Sequence, residues 1–245
     1  MGSLEQRPFS RRAALRLAGA AVAGLSIARW TPAGATSDQH AGLAPDATQA
    51  DRPAPDEALT LLVEGNRRWV AGTTTQPNRS TERRAEVALG QAPWVVVFSC
   101  IDSRVPPELI FDCGLGDMFV VRTAAHVIDN AALGSIEYGV EEVHVPLVVV
   151  LGHERCGAVI ASLEAIENNA TAPGHINALV EGIRPAIAAA SPDGDVTDNV
   201  VREHTTLTVD ALKAEPLIAE AISHGAVKVV GARYDLDTGV VDWIA

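Results

Sequence analysis

Trp94-Val95-Val96-Val97-Phe98-Ser99-Cys100-Ile101-Asp102-Ser103-Arg104 decides the fold. Trp94 to Phe98 is apolar without alternation, which suits a strand covered on both faces. It runs directly into residues that carry chemistry. Pro146-Leu147-Val148-Val149-Val150-Leu151 repeats the pattern and leads into Gly152-His153-Glu154-Arg155-Cys156-Gly157. Met118 to Val121 is a third such run, after the turn Gly114-Leu115-Gly116.

Helical stretches separate these runs. Asp56 to Ala71 places Leu59, Leu62, Val63 and Trp69 near helical spacing, with acids first and Arg67 and Arg68 last, as the helix dipole favours. A polar loop follows, then Ser80 to Leu89 as a short helix stopped by Gly90. Asp129 caps a helix running to about Val140, and further helices are expected over 156–168, 176–190, 195–213 and 216–224. Val227 to Tyr234 returns as a strand, and Asp237-Thr238-Gly239 turns the chain into Val240–Trp243 as a hairpin. Strands alternating with helices predict one α/β domain over 56–245. Its central β-sheet is mainly parallel and flanked by helices, with a C-terminal hairpin strand.

Composition agrees. The chain has 245 residues, 47% of them apolar, enough for one core without disulfide help. Its 31 acidic and 19 basic residues give a formal charge of -12, which argues against nucleic acid or an anionic membrane surface as partner. Three cysteines cannot build a disulfide framework. Collagen-like, coiled-coil and multi-span membrane classes are excluded.

Residues 1–35 read as an export signal. Arg7, Arg11, Arg12 and Arg16 form a cationic start, Leu15 to Ala28 is apolar apart from Arg16, and Ala33-Gly34-Ala35 has the form of a cleavage site. Ser10-Arg11-Arg12-Ala13-Ala14-Leu15-Arg16 is similar to the bacterial twin-arginine pattern, with alanines where such signals usually include a Phe. The apolar stretch is too short for a membrane span and no cysteine follows it, so no stable membrane anchor is expected. The expected location is extracellular or periplasmic. Residues 36–55, rich in Ala, Asp, Thr, Gln and Pro, read as a flexible leader. Removing 1–35 takes away five arginines and one glutamate, leaving 14 basic and 30 acidic residues and a charge of -16.

In open α/β sheets, sites collect at the carboxyl ends of strands. Cys100 and His153 would reach one rim from two strands, and Cys156, three residues on at a helix start, would reach the same point. Two thiolates and an imidazole are ligands that zinc takes. Three protein ligands without a fourth leave the open position of a catalytic zinc. Taken singly, Cys100 and Cys156 read equally as buried small hydrophobes and His153 as a hydrogen-bonded loop residue; the two motifs together point to metal. No Cys-x-x-Cys redox pair is present. Asp102 and Arg104 are spaced to pair. A held Asp102 would accept a hydrogen bond from a zinc-bound water, the bland reading being a surface ion pair.

These residues resemble the β-class carbonic anhydrases. Cys100 to Arg104 and His153 to Gly157 are similar to that family's paired zinc motifs, and Leu115 to Arg122 and Ser135 to Val140 continue the likeness. It runs from about Leu59 to Val159, and more weakly to Trp243. The resemblance implies reversible hydration of carbon dioxide to bicarbonate and a proton by zinc-bound hydroxide. It implies one zinc per chain on Cys100, His153 and Cys156, with Asp102 and Arg104 as the catalytic pair. It further implies a homodimer or tetramer with active sites at the subunit interface. Gln91 looks like the substrate-binding Gln of plant-like members, and Phe119, Ala124 and Tyr138 resemble walls of a constitutively open, plant-like pocket.

One departure stands out. Thr123-Ala124-Ala125-His126 ends in His where the family often has Asn. His126 either alters a loop hydrogen bond, places a titratable group near the rim, or is a tolerated polar replacement. Two other functions share the motifs: a zinc hydrolase of carbonyl sulfide or carbon disulfide, and a zinc-stabilised scaffold without catalysis. Asp102, Arg104 and Gln91 speak against the scaffold, because a structural zinc needs none of them. Cys113 is expected as a buried small residue.

Overall fold

Two valine-rich strands occupy the middle of the sheet and are buried along their whole length: β1 (Val95–Cys100) and β3 (Leu147–His153). The computed structural model describes residues 52–245. The expected export signal lies outside the described residues, as does all but the end of the expected leader. The five-stranded sheet has the order β2-β1-β3-β4-β5, with β2 (Met118–Thr123), β4 (Lys228–Tyr234) and β5 (Val241–Trp243). The first four are parallel, with Val97 paired to Val120 and Val149, and Val149 to Val230. β5 closes the edge as the antiparallel hairpin strand, Tyr234 opposite Val241.

Alternate residues of each strand face opposite layers. Val95, Val97 and Val149 meet Ala58 and Leu62 of α1 (Pro55–Val70) and Ile110 of the short helix α3 (Pro107–Ile110). Val96, Phe98 and Val150 meet α4 (Asn130–Glu141), the later part of α7 (Val196–Ala214) and α8 (Pro216–Ser223). Each fully buried valine or leucine contributes about 1.5–3 kcal/mol relative to exposure. A third cluster, beyond the carboxyl ends of the strands, joins α5 (Gly157–Glu167), α6 (Ile176–Ala189) and the start of α7 around Cys100 and Cys156. Caps place the helix starts. Ser80 accepts from the Arg83 amide ahead of α2 (Thr81–Val87), Asp129 from Ala132, and Asp195 from Asp198.

Three features depart from the sequence expectation. The helix α3 and a single 3-10 turn at Ala124–His126 carry no periodic signal. β1 and β3 run further than their apolar cores, so Cys100 and His153 are the last residues of their strands. The apolar run of β2 suggested cover on both faces, yet all six residues remain partly exposed. β2 is an edge strand, and among the described residues nothing covers its outer side.

Candidate active site

The parallel register brings the ends of β1 and β3 side by side, Ser99 opposite Leu151, so that Cys100 and His153 emerge at one rim. Cys156 stands at the N-cap position of α5, where the amides of Ala158 and Val159 favour its thiolate. The Sγ atoms of Cys100 and Cys156 are 4.0 Å apart, and the ligand atoms of Cys100, His153 and Cys156 all lie within 4.8 Å of one another. All three residues are buried.

The donor set fits zinc. Two thiolates at about 2.3 Å from a tetrahedral zinc stand roughly 3.8 Å apart, close to the observed separation. His153 Nδ1 is 2.9 Å from the Glu154 carbonyl, which can only accept, so Nδ1 carries the proton and Nε2 keeps a free lone pair. Nε2 is buried and has no hydrogen-bond partner among the described residues, which suits a ligand atom. The hydrogen bond between the two thiols favours the thiolate at Cys100 and holds the proton on Cys156. A dication between them favours thiolate at both.

Asp102 and Arg104 lie on the turn just after Cys100. Arg104 Nε donates to Asp102 Oδ1 at 2.9 Å and its terminal nitrogen to Oδ2 at 2.7 Å, while the Arg104 amide also reaches Oδ1 at 2.9 Å. These donors, the guanidinium first, hold the Asp102 carboxyl down to about 2. Oδ2 is 3.8 Å from His153 Nε2, so the gripped carboxylate faces the cluster of Cys100, His153 and Cys156. Arg122, at the end of β2, fastens the same turn by donating to the carbonyls of Cys100 at 2.7 Å and Asp102 at 2.6 Å.

Behind Cys100, the Ala125 amide donates to Sγ at 3.2 Å. Ala124, the first residue of the 3-10 turn, is thereby kept beside the ligands. Ala125 and His126 both adopt left-handed φ, 51° and 46°, at a cost of order 1–3 kcal/mol each. His126 is 2% exposed, so it is not a rim residue. Sequence reasoning assigned no role to Arg122, the Ala125 amide or the Glu154 carbonyl. Only Arg122 left a signal, as a charge closing an apolar strand.

Gln91, Phe119 and Tyr138 are elsewhere. They line a groove of about 670 Å³ along β2 and α4, with Arg122, Asn130 and Ser135. Phe119 pairs with Val96 and Thr123 with Cys100. Phe119 is therefore four residues back along the strand, about 13 Å from the metal end at 3.3 Å per residue. Within one chain Phe119 stays at the far end of β2 from Cys100, and Gln91 and Tyr138 share its groove. The acidic group Glu154, Asp235 and Asp237 is tied up with Arg155 and Arg233 in ion pairs. Cys113 is buried and its thiol is pushed up to about 12 by burial.

Comparisons with known proteins converge. Residues 95–241 match the family model described as carbonic anhydrase. The chain is 48% identical over 187 residues to carbonic anhydrase 2 of Mycobacterium tuberculosis, covering 76% of this chain and 90% of that protein. It is 45% identical over 190 residues to a carbonic anhydrase of Mycolicibacterium smegmatis, covering 77% and 92%. The solved structure of a Coccomyxa β-carbonic anhydrase with acetazolamide superposes with a TM-score of 0.61 at 26% identity, over 76% of this chain and 86% of that one.

Proposed function

The chain belongs to the β-class carbonic anhydrase family and catalyses its zinc-dependent reaction, the reversible hydration of carbon dioxide to bicarbonate and a proton; we propose that Cys100, His153 and Cys156 hold the zinc and that Asp102, gripped by Arg104, orients the nucleophile. The observation that carries this assignment is the Asp102 carboxylate, bidentate on Arg104 with Oδ2 turned towards His153 Nε2.

A zinc ion bound by these ligands supplies Lewis acidity, which makes hydroxide available near neutral pH. Asp102 remains ionised and can only accept hydrogen bonds. It would accept a hydrogen bond from the attacking oxygen and so leave a lone pair of that oxygen directed at the carbon of carbon dioxide. Arg104 engages both carboxylate oxygens, which keeps Asp102 from swinging round to become a fourth ligand.

The substrate walls come from a second copy in this reading. β2 is partly exposed along its length, Tyr138 is 47% exposed, and Gln91 and Phe119 share its groove. A homodimer closed across this face would cover the β2 edge and carry Gln91, Phe119 and Tyr138 to the partner's metal centre. Gln91 would then donate to a carbon dioxide oxygen as it becomes a bicarbonate oxygen, in a plant-like, open pocket. Export through the twin-arginine route rests on the arginine pair at 11–12 and the apolar stretch behind it. That route passes folded proteins, so zinc is loaded before crossing and both ligand cysteines are protected from oxidation.

Stopped-flow carbon dioxide hydration, with zinc quantified on the same preparation, tests the assignment. The expected result is one zinc per chain and activity that falls in proportion as zinc is stripped. Full activity in folded, zinc-free protein would overturn it.

A further inference from the structure

Two buried imidazoles have no part in the mechanism. His126 and His204 are 2% and 5% exposed, and their rings stack with centroids 4.6 Å apart and planes 30° apart. Phe98 meets His126 edge-on, at 6.1 Å between centroids. The Thr205 hydroxyl lies 3.4 Å from His126 Nε2 and donates to the Val201 carbonyl at 2.8 Å. The weak contact therefore has His126 Nε2–H as donor. Gly152 leaves room on the sheet side: a Cβ there would stand 2.5 Å from Thr205 Oγ1 and 3.4 Å from His126 Cε1. His126 thus fills the layer between the strand ends and α7, just behind the metal ligands.

The turn that carries His126 has two consecutive residues with positive φ, neither of them glycine. Side chains rarely adopt that conformation unless their surroundings impose it. Ala125 is tied to the site through its backbone amide, which donates to Cys100 Sγ at 3.2 Å.

We propose that His126 and His204 act together as positioning residues, holding the Ala124–His126 turn in its left-handed form and so aiming the Ala125 amide at the Cys100 sulfur. This rests on the reading of Cys100, His153 and Cys156 as the zinc ligands. An amide directed at a ligand sulfur draws off part of its charge and fixes its position, the usual way outer groups tune a metal. Burial holds His126 well below its ordinary range, with His204 adding to the effect, and burial holds His204 down to about 4. Both rings are neutral where the enzyme works, which suits packing in an apolar layer and not proton transfer to solvent.

The test uses the full chain loaded with zinc or with cobalt. His204→Ala removes the ring on which His126 stacks, His204→Phe restores a flat ring there, and His126→Ala removes the stack from the other side. Zinc transfer to a chromophoric chelator and the sulfur-to-cobalt charge-transfer band are measured, with circular dichroism to establish folding. His204→Ala and His126→Ala should release zinc about 10–100-fold faster than the parent chain and shift the band. His204→Phe should recover most of both. Parent-like release and an unshifted band in folded His204→Ala would overturn the proposal; that variant carries the test should His126→Ala fail to fold. A parent chain without a sulfur-to-cobalt band would overturn the zinc reading itself, and the proposal with it.

Discussion

The Arg104 guanidinium grips both oxygens of the Asp102 carboxylate, at 2.9 and 2.7 Å, two residues after Cys100. In the proposed site the pair positions an acceptor beside the metal without making it a ligand. Asp102→Asn should therefore keep zinc, because no ligand is lost. It should lose carbon dioxide hydration by about 100-fold or more, because the amide no longer presents two acceptor oxygens. Arg104→Lys should fall between, since a lysine cannot hold a carboxylate bidentately. Zinc content and stopped-flow rates on the three proteins check this; parent-like turnover in Asp102→Asn would remove Asp102 from the mechanism.

The pH profile should rise towards the alkaline side. A dication held by two thiolates and an imidazole is formally neutral and acidifies water less than one held by three imidazoles. Asp102 adds no limb of its own, because Arg104 holds its carboxyl down to about 2, far below the working range. Turnover measured from about pH 6 to about pH 9.5 should increase with pH and then level off. A profile that falls across this interval would contradict the site's charge balance.

Asp112 should govern the acid limit of stability. It is 1% exposed, and burial works against its charge. Arg68 at 2.7 Å, the amides of Thr75 and Gln76 at 2.9 Å and the Thr75 hydroxyl at 3.0 Å prevail, and they hold its carboxyl down to about 2. The folded value lies below the unfolded one, about 3.9. Its contribution is therefore complete above about pH 4 and is lost as pH falls towards 2. Asp112→Asn should lower stability by about 2–3 kcal/mol at neutral pH. It should also flatten the loss of stability between pH 4 and 2. Urea unfolding at several pH values reads both effects.

Much of this architecture is legible in the sequence because two-sided burial leaves an unmistakable trace. Val95 to Phe98 and Leu147 to Leu151 are apolar without a break, and the ligand residues follow directly. Asp102 and Arg104 are close enough in sequence for their pairing to be read from spacing alone. Arg122 and Asp112 are not, because the groups they serve lie about 20 and about 40 residues away in the chain. The Ala124–His126 turn is invisible for another reason: Ala-Ala-His carries none of the Gly or Asn signals that announce positive φ. β2 misled because an apolar edge strand has the same composition as a strand buried on both faces.

That last ambiguity can be resolved by complementation. Phe119 pairs with Val96, while Cys100 pairs with Thr123 at the other end of β2. If Gln91 serves its own chain, mixing two defective chains cannot repair either. If it serves the partner, a hybrid of Gln91→Ala and Asp102→Asn chains contains one site with an intact Asp102 from the first and an intact Gln91 from the second. Its other site carries both defects. Unfolding and refolding the two variants together with zinc should therefore restore activity well above that of either variant refolded alone. The activity should track the fraction of hybrid dimer seen by native mass spectrometry. Hybrid dimers with no gain over the parent variants would place Gln91 outside the partner's site and leave the β2 groove without a part in substrate binding.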